Sequence, residues 1–561
     1  MKKFNELKYE RINFDETIEK IESLTNELEM TKDYESFIQL TREIISIQNH
    51  IEEMFDYADI RNMRDSKDEF YESEISYWTE FKPKFDILFL PFYKIIINSS
   101  FKERLLEIIP SNFFSTIEYQ LKTTSEEVVL LQKHESELKN EYKALNASKI
   151  MFDGKEENRA FVASFFSDKD RATRKKAHDA INDYYYSKQK EYDKLLFDLV
   201  KTRNEIAGCL GFDNYVAYSL YKLRRFGYNY DDIKVFRDNI KKYFVPLNKK
   251  LSEWQKEELG LEKLEYYDTV FFSEMPKSKY IGADMLRKLS SALKSIDSNL
   301  ATFFDEMLEN GYIDLLQRDN KVNFSITNYL SESGIPTITG NFKNNYNDIF
   351  VTTHELGHSY QKHCASIKDR DYIVSSLLKY PTLEIAEMFS HAMELISLAY
   401  LPHFFSDDDY KKFCFMKIYT FVSMLPYICL VDEFQESIYS NINLTVEDIR
   451  KTWLDLAKKY GLKYHESGHI NIKSGGYFYR QSHLYLDPFY YIDYALSYFG
   501  AFILWDNCKE SLDLFREIGG IASYYSFDEL IHKYGLPNPF KEETVHHIAK
   551  TLENELISKR P

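Results

Sequence analysis

Helix breakers are scarce in this chain. Only 18 glycines and 13 prolines are spread over 561 residues. Between them, long windows carry apolar residues three and four positions apart, the period of an amphipathic helix. The pattern predicts a mainly α-helical protein. Asp15 is a candidate N-cap for a helix with Ile18, Ile21, Leu24 and Leu28 along one stripe. Residues 126–150 and 170–207 read as long helices whose charged outer faces are solvated surface. One region departs from the pattern. Residues 321–351, KVNFSITNYLSESGIPTITGNFKNNYNDIFV, gather strand and turn signals, and short strands are expected around 322–328 and 336–342, on either side of a Ser/Gly/Pro turn. Such a sheet either only packs, or its edge holds an extended peptide by strand addition.

The length exceeds what one compact core organises. With no internal repeat and no low-complexity linker, any boundary is soft, and the expected division is a helical lobe over 1–200 and a catalytic region over 201–561. Hydrophobic residues at 44% and charged residues at 29% are close to ordinary soluble globular proteins and suggest neither a disordered nor a membrane class. The 72 basic against 89 acidic side chains leave a formal charge of -17, which repels a phosphate backbone and gives no reason to expect a nucleic-acid partner. Five widely spaced cysteines, Cys209, Cys364, Cys414, Cys429 and Cys508, include no CxxC pair and suit a reducing compartment. The opening MKKFNELKYERINFDE is interrupted by charge before an apolar signal core can form. The apolar runs at 87–97 and 421–431 each contain a proline and fall short of the roughly 20 residues that span a bilayer. A cytoplasmic protein without a membrane partner is expected.

Against this background, VTTHELGHSYQKHC at 351–364 stands out. On a helix, His354 and His358 lie one turn apart on one face and can reach one ion, while Glu355, about 100° round, is left free beside it. Two neutral imidazoles and a free carboxylate are the zincin arrangement: metal ligands, and a base for the attacking water. Gly357 lets the helix approach its neighbours closely. The metzincin continuation needs Gly and His where Gln361 and Cys364 stand, so that class is disfavoured. A carboxylate from a second helix remains. No Glu occurs from Ser359 to Leu383, and Glu384 is the first available. It heads a polar stripe of Glu384, Glu387, His391 and Glu394 on an otherwise apolar helix after Pro381. Glu384 is the leading third ligand, with Glu387 in reserve; Glu387 or His391 would orient the ligands, and Asp369 and Asp371 are weaker options. Peptide hydrolysis also needs donors for the oxyanion. The Tyr-rich stretch 475–500 offers His483 followed by Tyr490, Tyr491 and Tyr494.

HELGHSYQ, LEIAEMFSHAMEL and HLYLDPFYYIDYAL, together with the opening FNELKYERINFD, resemble the thimet oligopeptidase and oligoendopeptidase F family, in particular its bacterial Pz-peptidase-like members. The likeness runs in order along nearly the whole chain. It implies a two-lobed, all-helical fold around a deep channel with one zinc per chain on its floor and access limited to short unstructured peptides; the small sheet read at 321–351 would lie near that zinc. It carries His354, His358 and Glu384 over as zinc ligands, Glu355 as the base, and His483, Tyr491 and Tyr494 as transition-state hydrogen-bond donors, with Tyr490 as a substitute. It also matches TITGNF, 337–342, to the segment along the substrate backbone, which makes Thr339, Gly340 and Asn341 substrate-binding candidates. The glycines usual before this strand are replaced here by DNKVNFSITNYLSESG, and Lys343, Asn344 and Asn345 follow Phe342.

The expected function is a cytoplasmic zinc oligoendopeptidase acting in peptide catabolism. Its alternatives are a peptide-binding protein with structural zinc, or a zinc carboxypeptidase or aminopeptidase with Arg480 as terminal anchor. The state of assembly is left open.

Overall fold

Asn13, not Asp15, caps the first long helix. Its side-chain oxygen accepts from the Glu16 N–H, and Asp15 falls inside the helix Phe14–Met30, where its charge meets the positive end of the helix dipole. Ile21 and Leu28 of the expected stripe are buried. In this computed structural model, residues 2–107, 109, 111–122, 126–367, 381–441, 443–462, 468–508 and 511–560 are described. Helices dominate, with one two-stranded and one three-stranded sheet among the described residues.

The chain divides into two units, each built from three segments. The first comprises Met1–Leu121, Lys277–Tyr410 and Ser497–Leu536; the second comprises Lys122–Pro276, Lys411–Leu496 and Pro537–Pro561. A single boundary near residue 200 does not describe this division, because spatially adjacent helices come from distant parts of the sequence. In the first unit, Ile21, Phe37, Ile44, Trp78 and Phe92 belong to one apolar core among the N-terminal helices. The second unit carries buried ion pairs, including Arg203 with Glu135 at 2.8 Å and Arg237 with Asp432 at 2.8 Å. The helix Asp407–Tyr439 is long and apolar enough to cross a membrane by composition, yet it contains Pro426, and 61% of its most apolar window is buried within the protein.

The helix expected over 126–150 is present as Glu126–Ala147, but that over 170–207 is two helices, Arg171–Ser187 and Gln189–Cys209. A continuous helix would set Tyr185 and Tyr192 about 10.5 Å apart along its axis. The break at Lys188 instead brings their ring centroids to 5.4 Å, and both pack near Tyr479.

The three-stranded sheet belongs to the first unit. Its strands are Ile313–Asp314, Ile326–Leu330 and Ile335–Thr339, with Ile335–Thr339 in the centre. That central strand runs antiparallel to Ile326–Leu330, with Asn328 opposite Thr337, and parallel to Ile313–Asp314. Both strands lie a few residues from their expected positions, joined by a turn in which Gly334 takes a positive φ of 70°.

Candidate active site

The helix Asn347–Ile367 carries HELGH and packs against the helix Leu383–Leu398, which carries the acidic stripe. Gly357 sits at their closest approach. A Cβ there would come within 2.5 Å of the Phe389 carbonyl oxygen and 2.6 Å of the Ser390 Cα, so only glycine lets the backbones meet. This contact sets which turn of the second helix stands level with the histidines.

That turn presents Glu387. Its Oε2 lies 3.3 Å from His354 Nε2 and 3.6 Å from His358 Nε2. Glu384, the leading ligand by sequence, is buried on the helix's first turn, three residues and about 4.5 Å of helix rise away. Both glutamates lie on one stripe, and spacing alone could not say which turn meets the histidines. Asp369 and Asp371 lie outside the described residues.

The supporting polar groups are equally specific. Glu394 Oε1 lies 3.0 Å from His354 Nδ1 and 2.8 Å from His391 Nδ1. Burial drives the His358 pKa down to about 3, which keeps its imidazole neutral with a lone pair to give. Burial opposes ionisation of Glu387, but the surrounding His354, His358 and His391 outweigh it and hold its carboxyl below the usual range. Two imidazoles and a carboxylate converging on one point are a donor set that fits a borderline divalent ion such as zinc. His354, Glu387 and His391 all place a ligand atom within 4.8 Å of the others.

Glu355 points the other way, toward the sheet. Thr327 Oγ1 donates to Glu355 Oε2 at 2.7 Å, and burial pushes the Glu355 carboxyl pKa up, against the charge of His354 and the Thr327 bond. A carboxylate of raised basicity beside a metal-ligand set can accept a proton.

Thr339, Gly340 and Asn341 do not form a substrate edge. The N–H groups of Ile338 and Gly340 donate to the Tyr312 and Asp314 carbonyls, and Thr339 Oγ1 accepts from Arg64 Nε. Asn341 is tied to the Arg318 backbone at both ends of its amide. Ile326–Leu330 is an edge strand, as is the two-residue strand Ile313–Asp314 on the other side. Because the central strand turns Ile338 and Gly340 toward the other side, the hydrogen-bonded pairs are 326–339, 328–337 and 330–335, so the backbone groups of Thr327 and Tyr329 face outward.

In the second unit, His483, Tyr490, Tyr491 and Tyr494 are brought together. Ring centroids stand 4.6 Å apart for His483 and Tyr491, 6.1 Å for His483 and Tyr494, and 5.2 Å for Tyr490 and Tyr494. Two residues missed by sequence reasoning orient the imidazole. Tyr427 OH donates to Gln481 Oε1 at 3.0 Å, which turns the Gln481 amide nitrogen to His483 Nδ1 at 2.7 Å. Nδ1 is then the acceptor, and Nε2–H is left as a donor. Burial lowers the His483 pKa, so this donor is neutral. Phe489 holds a left-handed φ of 65°; its N–H donates to Gln435 Oε1, its carbonyl accepts from Arg225, and Arg225 also binds Asp493, fixing the segment that bears the tyrosines. Arg480 stacks on Tyr477 and donates to its hydroxyl at 3.2 Å.

Two family models account for most of the chain: the peptidase M3 N-terminal domain matches residues 4–124, and peptidase family M3 matches 164–292 and 293–527. The chain belongs to peptidase family M3. This M3 chain is 30% identical to PZ peptidase A, solved with an inhibitor, over 99% of each chain with a TM-score of 0.87. It is 29% identical to a Bacillus anthracis protein assigned as an oligoendopeptidase F, over 100% of this chain and 98% of that one, with a TM-score of 0.83. Oligoendopeptidase-F from Enterococcus faecium, 16% identical over 97% and 98% of the two chains with a TM-score of 0.63, shares the fold. Comparison with curated proteins gives no match. The mainly helical fold expected from the sequence is that of M3 peptidases, and the chain is an M3 metallopeptidase with an oligoendopeptidase F-like structure.

Proposed function

We propose that this M3 peptidase is a zinc-dependent endopeptidase that hydrolyses internal bonds of short unstructured oligopeptides in the cytoplasm, as part of peptide catabolism. The observation that carries the reading is the convergence of His354, His358 and Glu387, with Glu355 free beside them and hydrogen-bonded to a strand edge. His354, His358 and Glu387 would hold one zinc per chain. When bound, zinc supplies Lewis acidity, which polarises a scissile carbonyl and lowers the pKa of water. Glu355 takes the proton of the attacking water and passes it to the leaving amine. The edge Ile326–Leu330 receives the substrate as an added strand through the backbone groups of Thr327 and Tyr329. His483, as a neutral Nε2–H donor, and Tyr491 and Tyr494, as hydroxyl donors, stabilise the oxyanion of the tetrahedral intermediate.

Free thiols at all five cysteines support a reducing compartment, and a net charge of -17 argues against a nucleic-acid partner. The test is mass spectrometry of products from a mixture of short peptides and one folded protein. Internal cuts in the short peptides alone, abolished by a chelator and by Glu355→Gln with zinc retained, are expected; an unchanged rate in Glu355→Gln would sink the mechanism, and terminal trimming alone would sink the endopeptidase reading.

A further inference from the structure

The donor set extends beyond two histidines and one glutamate. His391 Nε2 lies 3.9 Å from Glu387 Oε2, the same oxygen approached by His354 Nε2 at 3.3 Å and His358 Nε2 at 3.6 Å. Ligands bound at 2.0 to 2.2 Å around a tetrahedral ion stand roughly 3.4 Å from one another; each imidazole nitrogen is near that distance from this one Glu387 oxygen, and ligand atoms of His354, Glu387 and His391 all lie within 4.8 Å of one another. The electronic preparation of His391 also matches that of His354. Glu394 Oε1 takes the Nδ1 side of both rings, at 2.8 Å from His391 and 3.0 Å from His354. Where Glu394 accepts from both rings, the proton sits on Nδ1 and Nε2 keeps its lone pair. One carboxylate therefore fixes the tautomer and orientation of two imidazoles, as such partners do for metal-ligating histidines. Tyr498 packs edge-on against the His391 ring, 4.6 Å between centroids, and the residue is buried. A solvated polar face, the other role for a histidine on this stripe, does not describe it.

We propose that His391 is a further protein ligand of the metal, so that the resting site has three imidazoles and one carboxylate, His354, His358, His391 and Glu387. This rests on the metal-site reading above. Four protein donors close a tetrahedral site, and catalysis then requires either a fifth coordination position or release of His391; zinc in catalytic sites does expand to five-coordinate. His391 thus competes for the position that water or the peptide carbonyl must take, and its removal weakens metal retention while opening the site.

The test is zinc K-edge X-ray absorption on the full-length protein loaded with one zinc equivalent, with chelator competition for zinc affinity. Three imidazoles are expected in the wild type and two in His391→Phe and His391→Gln, with zinc affinity lowered about tenfold or more in both variants. Two imidazoles in the wild type, or unchanged affinity in whichever variant retains native circular dichroism, would overturn the proposal. His354→Ala separates the two levels. Loss of stoichiometric zinc in that variant upholds the metal site even where His391 is found not to bind, whereas zinc bound normally without His354 would overturn the site itself.

Discussion

Glu387 and Glu384 differ by three positions on one helix, and that difference decides which carboxylate completes the site. Glu387 Oε2 stands between two imidazoles, whereas Glu384 is buried one turn away. Glu387→Gln is expected to weaken zinc binding by at least about 100-fold, since even loss of an indirect metal partner costs about 10 to 100-fold. Glu384→Gln should leave the affinity largely unchanged. Chelator competition on the two variants reads this directly, and the reverse order would return the ligand to Glu384. HELGH was legible from the sequence because His354, Glu355 and His358 are placed by local helix geometry alone. The level of Glu387 beside those histidines was not, because it is fixed by a contact between helices, Gly357 against Phe389 and Ser390.

That contact is also where an element can be tested. Gly357→Ala adds a methyl group against backbone atoms that cannot rotate away, so the two helices must separate. The expected cost is about 1 to 3 kcal/mol, seen by calorimetry as a melting midpoint lowered by several degrees and accompanied by weaker zinc retention. An unchanged midpoint and unchanged zinc content would show that the helices leave room for a methyl group at Gly357. Other elements show the same division between local and long-range information. The helix Glu126–Ala147 followed from its own apolar period, while the break at Lys188 has no glycine or proline to announce it and serves the packing of Tyr185, Tyr192 and Tyr479. The expected strands carried the right residue types, but their pairing left Thr339 in the central strand and made Ile326–Leu330 an edge. The aromatic cluster around His483 was legible as composition; its orientation by Tyr427 and Gln481, from separate parts of the chain, was not.

For the whole molecule, stability should depend on pH through His178, far from HELGH in sequence. It is buried and stacked on Phe166 with centroids 3.6 Å apart, and burial, helped by the charge of Arg480, lowers its pKa from 6.5 to about 3. Below pH 6.5 the unfolded chain takes a proton there that the folded chain refuses. Stability is therefore lost as pH falls from about 6.5 toward 3, by up to about 1.4 kcal/mol per pH unit from this residue. His178→Phe keeps the stacking and removes the proton, so its urea midpoint should fall less steeply than the wild type's between pH 7 and 5; parallel slopes would contradict the assignment. The central claim concerns the metal, and anomalous diffraction at the zinc edge from crystals of the zinc-loaded protein tests it most directly. The expected result is one peak, about 2.0 to 2.2 Å from His354 Nε2, His358 Nε2 and a Glu387 oxygen, with Glu355 outside bonding distance. A peak bound to Glu384 instead, or none between the two histidines, would contradict it.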